Sequence, residues 1–277
     1  MSTLGLALGG GGARGLAHIS MLEVFDELGL SIDEISGNSV GAIIGVLYAS
    51  GMKGADIREW VDELIITKSH VIHDLLHKKK ALRSIEFVDI SFQQSGLIKG
   101  ERFIQLLRET IGDLSFDELK IPLKIATSDF WTAEQVVFDT GKVLPAVRAS
   151  MGLPGVFTPH EMDSRLLIDG GGVNPLPHDL LSNNDTVVAI DVMGFPVEHG
   201  GKPPGLFRSV MGMFDIMQNT IIEQRLLHAR PNLYIKPEIR GIDLLDFHMA
   251  NQIYEQAEPA VEELRRWLIQ WMESLES

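Results

Sequence analysis

Short apolar runs broken by glycine dominate the first fifty residues, and they follow two different periods. Leu4-Gly5-Leu6-Ala7-Leu8 is an unbroken apolar run of strand length, the pattern of a parallel strand covered on both faces. After the glycine-rich residues 9–15, Leu16, Ile19, Met21, Leu22, Phe25 and Leu28 recur at helical spacing, and Gly29 serves as a C-cap. A second strand is expected within residues 31–36. Residues 40–49 (VGAIIGVLYA) are small and apolar enough for a buried helix, closed by Gly51. Residues 52–118 are less regular, apart from a turn at 96–100 and a helix over 101–111 that turns Phe103, Leu106 and Leu107 inward. Strand patterns return at 121–127 and 134–138, the latter followed by a turn at Gly141. Residues 145–151 suit a helix ending at Gly152-Leu153-Pro154-Gly155. Leu166-Leu167-Ile168 suits a strand running into Asp169-Gly170-Gly171-Gly172, and 186–192 is the clearest strand of the second half. Helices are expected over 205–227 and 250–275, the last with Trp267 and Trp271 one turn apart. Strands and helices alternate as in an α/β fold with a mostly parallel sheet.

Composition narrows the function classes. The chain has 277 residues, 45% hydrophobic and 22% charged, ordinary for a soluble globular protein with a sizeable core. A net charge of −14 with no basic face argues against nucleic acid and against strong attraction to anionic membranes. There is no cysteine, hence no disulfide framework, zinc–thiolate site or thiol nucleophile. No secretory leader is visible at Met1-Ser2-Thr3, and no apolar run reaches the ~18–20 residues that span a bilayer. The expected location is the cytoplasm, peripheral at a membrane if contact with one is made. The absence of repeats, low-complexity tracts and linkers argues for a single domain.

Three features carry candidate chemistry. Gly37-Asn38-Ser39-Val40-Gly41 reads G-x-S-x-G between an expected strand and helix, the setting of a nucleophile elbow. A side chain at Gly37 or Gly41 would collide across so tight a crossing. The helix N-terminus adds free N–H groups and partial positive charge beside an oxyanion. Second, Gly10, Gly12 and Gly15 match the dinucleotide fingerprint G-x-G-x-x-G, but the same loop suits an oxyanion hole of close-set amides. Position favours the oxyanion reading. A ribose-binding carboxylate belongs at the end of the second strand, where Ser39 sits; Asp33 and Glu34 precede that end. Third, Asp169 ends an apolar strand in a glycine-tight turn, where parallel-sheet active sites gather, although Asp-Gly is also a common turn. An aspartate that takes a serine proton directly needs a desolvated setting that raises its proton affinity. The order Ser39, Asp169, then His228 or His248 would fit an α/β-hydrolase triad. That fold, however, puts several strands before its nucleophile, and no histidine here sits in such a turn.

Other clusters weigh less. His70, His73 and His77 would share one helix face, but without a carboxylate on that stripe they read as solvated or half-buried rather than metal-binding. The cationic run His77-Lys78-Lys79-Lys80 reads as a solvated helix end in preference to a lipid-headgroup contact. The irregular residues 64–95 are a candidate lid.

Four motifs in order resemble the bacterial patatin-like phospholipases, of the group whose catalytic domain is similar to that of neuropathy target esterase. Gly10-Gly11-Gly12-Ala13-Arg14-Gly15 resembles the family's G-G-G-x-R/K-G, and Gly37 to Gly41 its elbow, with Asn38 where the family more often has Thr or Cys. Arg148-Ala149-Ser150-Met151-Gly152-Leu153-Pro154-Gly155-Val156-Phe157-Thr158-Pro159 resembles its R-A-S run. Asp169-Gly170-Gly171, followed by Val173-Asn174-Pro175-Leu176-Pro177, resembles its D-G-G/A motif. The resemblance covers residues 4–195, with 196–277 as C-terminal helices of the same domain. It implies a three-layer α/β/α sandwich and a Ser39–Asp169 dyad without histidine. It also implies an oxyanion hole from the backbone of Gly10, Gly11, Gly12 and Ala13, and a phospholipid or other acyl ester as substrate. No metal and no organic cofactor are implied. Arg14 would order the glycine loop, and His18 would be structural.

Overall fold

The computed structural model describes residues 2–77, 100–194, 203 and 205–276, with the side chains of 66–77 and Phe207 outside the description. The side chains of the histidine stripe, Lys78 to Lys80 of the cationic run and the candidate lid beyond residue 77 therefore lie outside the description, while residues 64–77 of that candidate lid form the C-terminal part of a helix. The strands are β1 (Leu4–Leu8), β2 (Glu34–Asn38), β3 (Leu123–Asp129), β4 (Gln135–Phe138), β5 (His160–Met162), β6 (Arg165–Asp169), β7 (Thr186–Ile190) and β8 (Leu233–Ile235). The helices are α1 (Ala17–Leu28), α2 (Val40–Ala49), α3 (Gly54–His77), α4 (Glu101–Ile111), α5 (Val143–Ser150), α6 (Leu206–His228) and α7 (Ala250–Glu276).

The strands form one mixed sheet. β3, β2, β1, β7 and β8 run parallel in that order, and β4, β5 and β6 join antiparallel on the β3 side. The pattern LGLAL of β1 explains the layering. Leu4, Leu6 and Leu8 point into the larger core, shared with residues of α1, α2, α3, α4, α5 and α7. Ala7 points the other way, into a smaller core with Leu176, Leu181, Val187, Ala189, Met193 and Ile222 of α6. Gly5 leaves room on that second face, where a Cβ would lie 3.1–3.2 Å from Asn184 and Leu181. Burying each such leucine contributes roughly 2 kcal/mol, so β1 anchors both helix layers. At the C-terminus of α1, Gly29 takes the left-handed conformation (φ 65°) expected of a C-cap.

Register near the end of β3 sets up the site. β2 pairs with the first half of β3, ending with Asn38 opposite Ala126. β6 pairs with the second half, with Asp169 opposite Thr127. β4 occupies the other edge of β3 over Ile125 to Ser128, so β2 and β6 share one edge. They run towards each other along it, and their C-terminal ends meet head to head at Asn38 and Asp169. The residues following both strands are thereby forced together at the C-terminal edge of the parallel sheet.

Candidate active site

Ser39 sits between β2 and α2 with φ 54° and ψ −123°, a backbone conformation that a residue with a side chain adopts under strain. The strain is held by neighbours. Ser39 N–H donates to Ser150 Oγ at 2.9 Å, and the fully buried Ser150 hydroxyl donates to Ala126 O at 2.8 Å. The two glycines of the elbow are required by contact. A Cβ on Gly37 would stand 2.7 Å from Gly41 O, and one on Gly41 would stand 2.1 Å from Leu8 O. β2 also runs further than the expected 31–36, through Gly37 and Asn38 to the elbow itself. Its pairing with β3 supplies the backbone bonds that the strand propensity of glycine and asparagine does not.

Asp169 is buried beside this turn. Its Oδ1 accepts from Gly171 N–H at 2.8 Å, and the nearby Ser39 hydroxyl and Asn38 side-chain amide also favour its ionised form. Burial outweighs these three influences and pushes the Asp169 carboxyl up to about 6. Gly170 and Gly171 pack the turn closely: a Cβ on Gly170 would meet Ala126 O at 2.4 Å and Asn38 Oδ1 at 2.6 Å, and one on Gly171 would meet Gln218 Nε2 at 2.0 Å. Asn38, treated in the sequence as a departure from a motif, is fully buried, with its amide wedged between Gly10 and Gly170.

The glycine loop faces the same volume, but not with all of the amides expected. Gly10 N–H donates to Pro175 O at 2.9 Å and Ala13 N–H to Leu244 O at 2.8 Å. The expectation that Gly10 and Ala13 donate to an oxyanion is therefore corrected, because their amides are already engaged with backbone brought in from distant residues. Gly11 and Gly12 are not among the residues whose N–H groups are so bonded. Gly12 has φ 59°, and a Cβ there would lie 2.3 Å from Leu244 O. Arg14, itself buried, donates from Nε to Gly11 O at 3.1 Å and pairs with Asp215 at 3.3 Å. A trans peptide points its N–H opposite to its C=O, so fixing the Gly11 carbonyl also aims the Gly12 N–H. Gly15 allows Val40 to pack, since a Cβ would come within 2.2 Å of Val40 Cγ1. His18 is buried with Nε2 2.9 Å from Gly9 O, and desolvation lowers its pKa to about 4, so it is a neutral brace for the loop.

Gly11, Gly12, Ser39 and Asp169 line a cleft whose other walls include Leu153, Met193, Leu244 and, from α6, Asp215 and Gln218. Its cavity of about 20 Å³ has room for one water. A wider, open groove of about 630 Å³ lies at the opposite edge of the sheet, lined by residues including Glu34, Asp117 and Asp139. It holds no nucleophile–base pair, and Glu34 is paired there with Lys124 at 2.8 Å. Asp33 and Glu34 are also far from the glycine loop in register: Glu34 pairs with Gly5, and Asp33 accepts from Leu4 N–H. This geometry gives the dinucleotide reading no ribose partner. His228 and His248 lie outside the cleft, the latter largely exposed next to Asp246. Among the described residues, no group of three His, Asp or Glu side chains is placed to hold a metal ion. No described helix is long and apolar enough to cross a membrane. Asp215 and Gln218 carried no motif, and nothing in the local pattern of α6 marks them as cleft residues.

A mixed α/β/α sandwich with a serine on a strained strand–helix turn at the carboxyl edge of its sheet belongs to the class of folds built around a nucleophile elbow. The chain is a member of the patatin-like phospholipase family, whose model matches residues 6–184. It is 32% identical over 194 residues to an uncharacterised NTE family protein of Mycobacterium tuberculosis, covering 68% of this chain and 49% of that one. It is 33% identical over 199 residues to neuropathy target esterase sws of Drosophila melanogaster, covering 69% of this chain and 13% of that one. The chain thus spans about half the length of the first relative and a small part of the second. Among solved structures, VipD from Legionella pneumophila has the same fold, with a TM-score of 0.52 and 14% identity over 96% of this chain and 66% of that one.

Proposed function

We propose that the protein is a serine acyl hydrolase of lipid esters, acting on phospholipids, lysophospholipids or simpler carboxylic esters through an acyl-enzyme on Ser39. Asp169 is the base. The observation that carries this reading is the buried carboxyl next to the elbow serine, with its proton affinity raised to about 6. A serine hydroxyl is a weak nucleophile, and a base works best when its pKa approaches the operating pH. At pH 7 such a carboxylate is mostly ionised and still roughly a hundredfold more basic than an exposed aspartate.

Asp169 accepts the Ser39 proton while Oγ attacks the ester carbonyl. The charge that develops on the carbonyl oxygen is received by the N–H groups of Gly11 and Gly12, each worth ~3 kcal/mol of barrier in comparable sites. The tetrahedral intermediate expels the alcohol, which leaves with the proton held by Asp169. Water then attacks the acyl-enzyme, giving its proton to Asp169, and Ser39 is restored as the carboxylic acid departs. A fluorophosphonate probe tests the assignment. Wild-type protein is expected to label, Ser39→Ala not to label, and Asp169→Asn to label at least about a hundredfold more slowly. Labelling of Ser39→Ala, or wild-type rates for Asp169→Asn, would overturn it.

A further inference from the structure

The outward side of α6 is apolar and faces solvent. Leu206, Val210, Met213, Ile216 and Met217 lie along it at helical spacing, with Met213, Ile216 and Met217 53%, 63% and 51% exposed. From Leu206 to Thr220 no charge falls on this side. Arg208 turns to Asp243, and Asp215 faces Arg14 and the cleft. Gln218 lines the cleft, and Ile222 is buried in the smaller core. The helix therefore shows an uncharged apolar stripe to solvent and its opposite side to Ser39, the reverse of an ordinary surface helix. At the same edge of the sheet, Phe130 and Trp131 follow the C-terminus of β3. Trp131 is 75% exposed, and the two rings pack edge to face at 4.8 Å. Exposed apolar residues grouped in this way mark an interaction surface, and tryptophan suits the boundary between water and hydrocarbon.

We infer that the outer face of α6, with the Phe130–Trp131 tip, docks the protein on a lipid surface of no net charge, such as phosphatidylcholine, and presents the cleft to it. The inference rests on the lipid-ester reading above. Two observations select this occupant. The cleft holds about one water, so an acyl chain enters only as α6 or the Leu244 loop moves aside, and an apolar phase against the outer face of α6 stabilises that movement. The stripe carries no charge in a chain of net charge −14, which matches a neutral surface and is repelled by an anionic one.

Flotation with phosphatidylcholine vesicles tests this, using a Ser39→Ala background so that lipid is not consumed. The protein is expected to float with the vesicles. Met213→Glu/Ile216→Glu/Met217→Glu is expected to weaken partitioning at least about tenfold, and Trp131→Ala severalfold, because each removes apolar surface from contact. With Ser39 intact, both variants are expected to hydrolyse a water-soluble p-nitrophenyl ester within about twofold of wild type, since neither change touches the cleft. Replacing phosphatidylcholine by phosphatidylserine is expected to weaken binding. Unchanged flotation of the triple variant would overturn the inference. So would sedimentation showing a dimer that the triple variant splits, since a second copy would then cover the stripe. If the soluble ester is turned over and vesicles are not bound, the docking surface fails alone. If vesicles bind through the stripe and no ester is cleaved, the hydrolase reading fails alone.

Discussion

Replacing Asp169 by asparagine should remove the chemistry and strengthen the fold. The Asp169 carboxyl has a pKa of about 6 in the folded protein against 3.8 for an ordinary aspartate, with burial as the main cause. Because the folded value is the higher one, the native state binds the extra proton between the two. This contribution to stability is fully present below about pH 4 and is lost as pH rises through 6. At about 1.4 kcal/mol per pKa unit, the ionised carboxylate costs about 3 kcal/mol at pH 7. Asparagine is nearly isosteric and stays uncharged. Its oxygen can keep the Gly171 N–H bond. Asp169→Asn is therefore expected to raise the unfolding free energy by about 3 kcal/mol at pH 7 and by under about 1 kcal/mol at pH 4. Titrations common to both proteins cancel in the difference. Urea unfolding followed by circular dichroism at both pH values measures it. A difference that does not change with pH, or a variant less stable at pH 7, would refute desolvation as the dominant effect.

The same carboxyl sets a rate profile: kcat/KM on a soluble ester should rise about tenfold per pH unit below 6 and level off above it, because the ionised form is the base. A flat profile from pH 4.5 to 8 would exclude Asp169 from that role. Arg14→Ala should lower kcat by about tenfold or more with little change in KM, because the Gly11 carbonyl loses the donor that orients the Gly12 amide. Steady-state kinetics separate the two constants. Ser150→Ala leaves Ser39 N–H and Ala126 O without partners, and thermal unfolding should show a loss of about 1–3 kcal/mol. Gly41→Ala forces a Cβ to 2.1 Å from backbone oxygen and should cost more than about 3 kcal/mol or prevent folding; a wild-type melting temperature would contradict the elbow geometry.

Local sterics and periodicity made much of this protein readable along the chain. The alternation in β1, the helical spacing and Gly29 cap of α1, and the glycines around Ser39 are demands that near neighbours impose on one another. The chain therefore announces them, and Ser39 and Asp169 could be singled out on that basis. The extent of β2 was less legible, because Gly37 and Asn38 become strand through pairing with Ile125 and Ala126, which lie almost ninety positions away. The meeting of Ser39 and Asp169 depends on β6 running antiparallel along the second half of the same β3 edge whose first half β2 occupies, a matter of register between segments 130 positions apart. Which glycine-loop amides stay available depends on Pro175 and Leu244, whose carbonyls bind Gly10 and Ala13. Asp215 and Gln218 reach the cleft because α6 crosses it, and no pattern within α6 records which of its sides meets the sheet. Short-range constraints are written where they act. Long-range ones exist once burial has chosen which surfaces leave water.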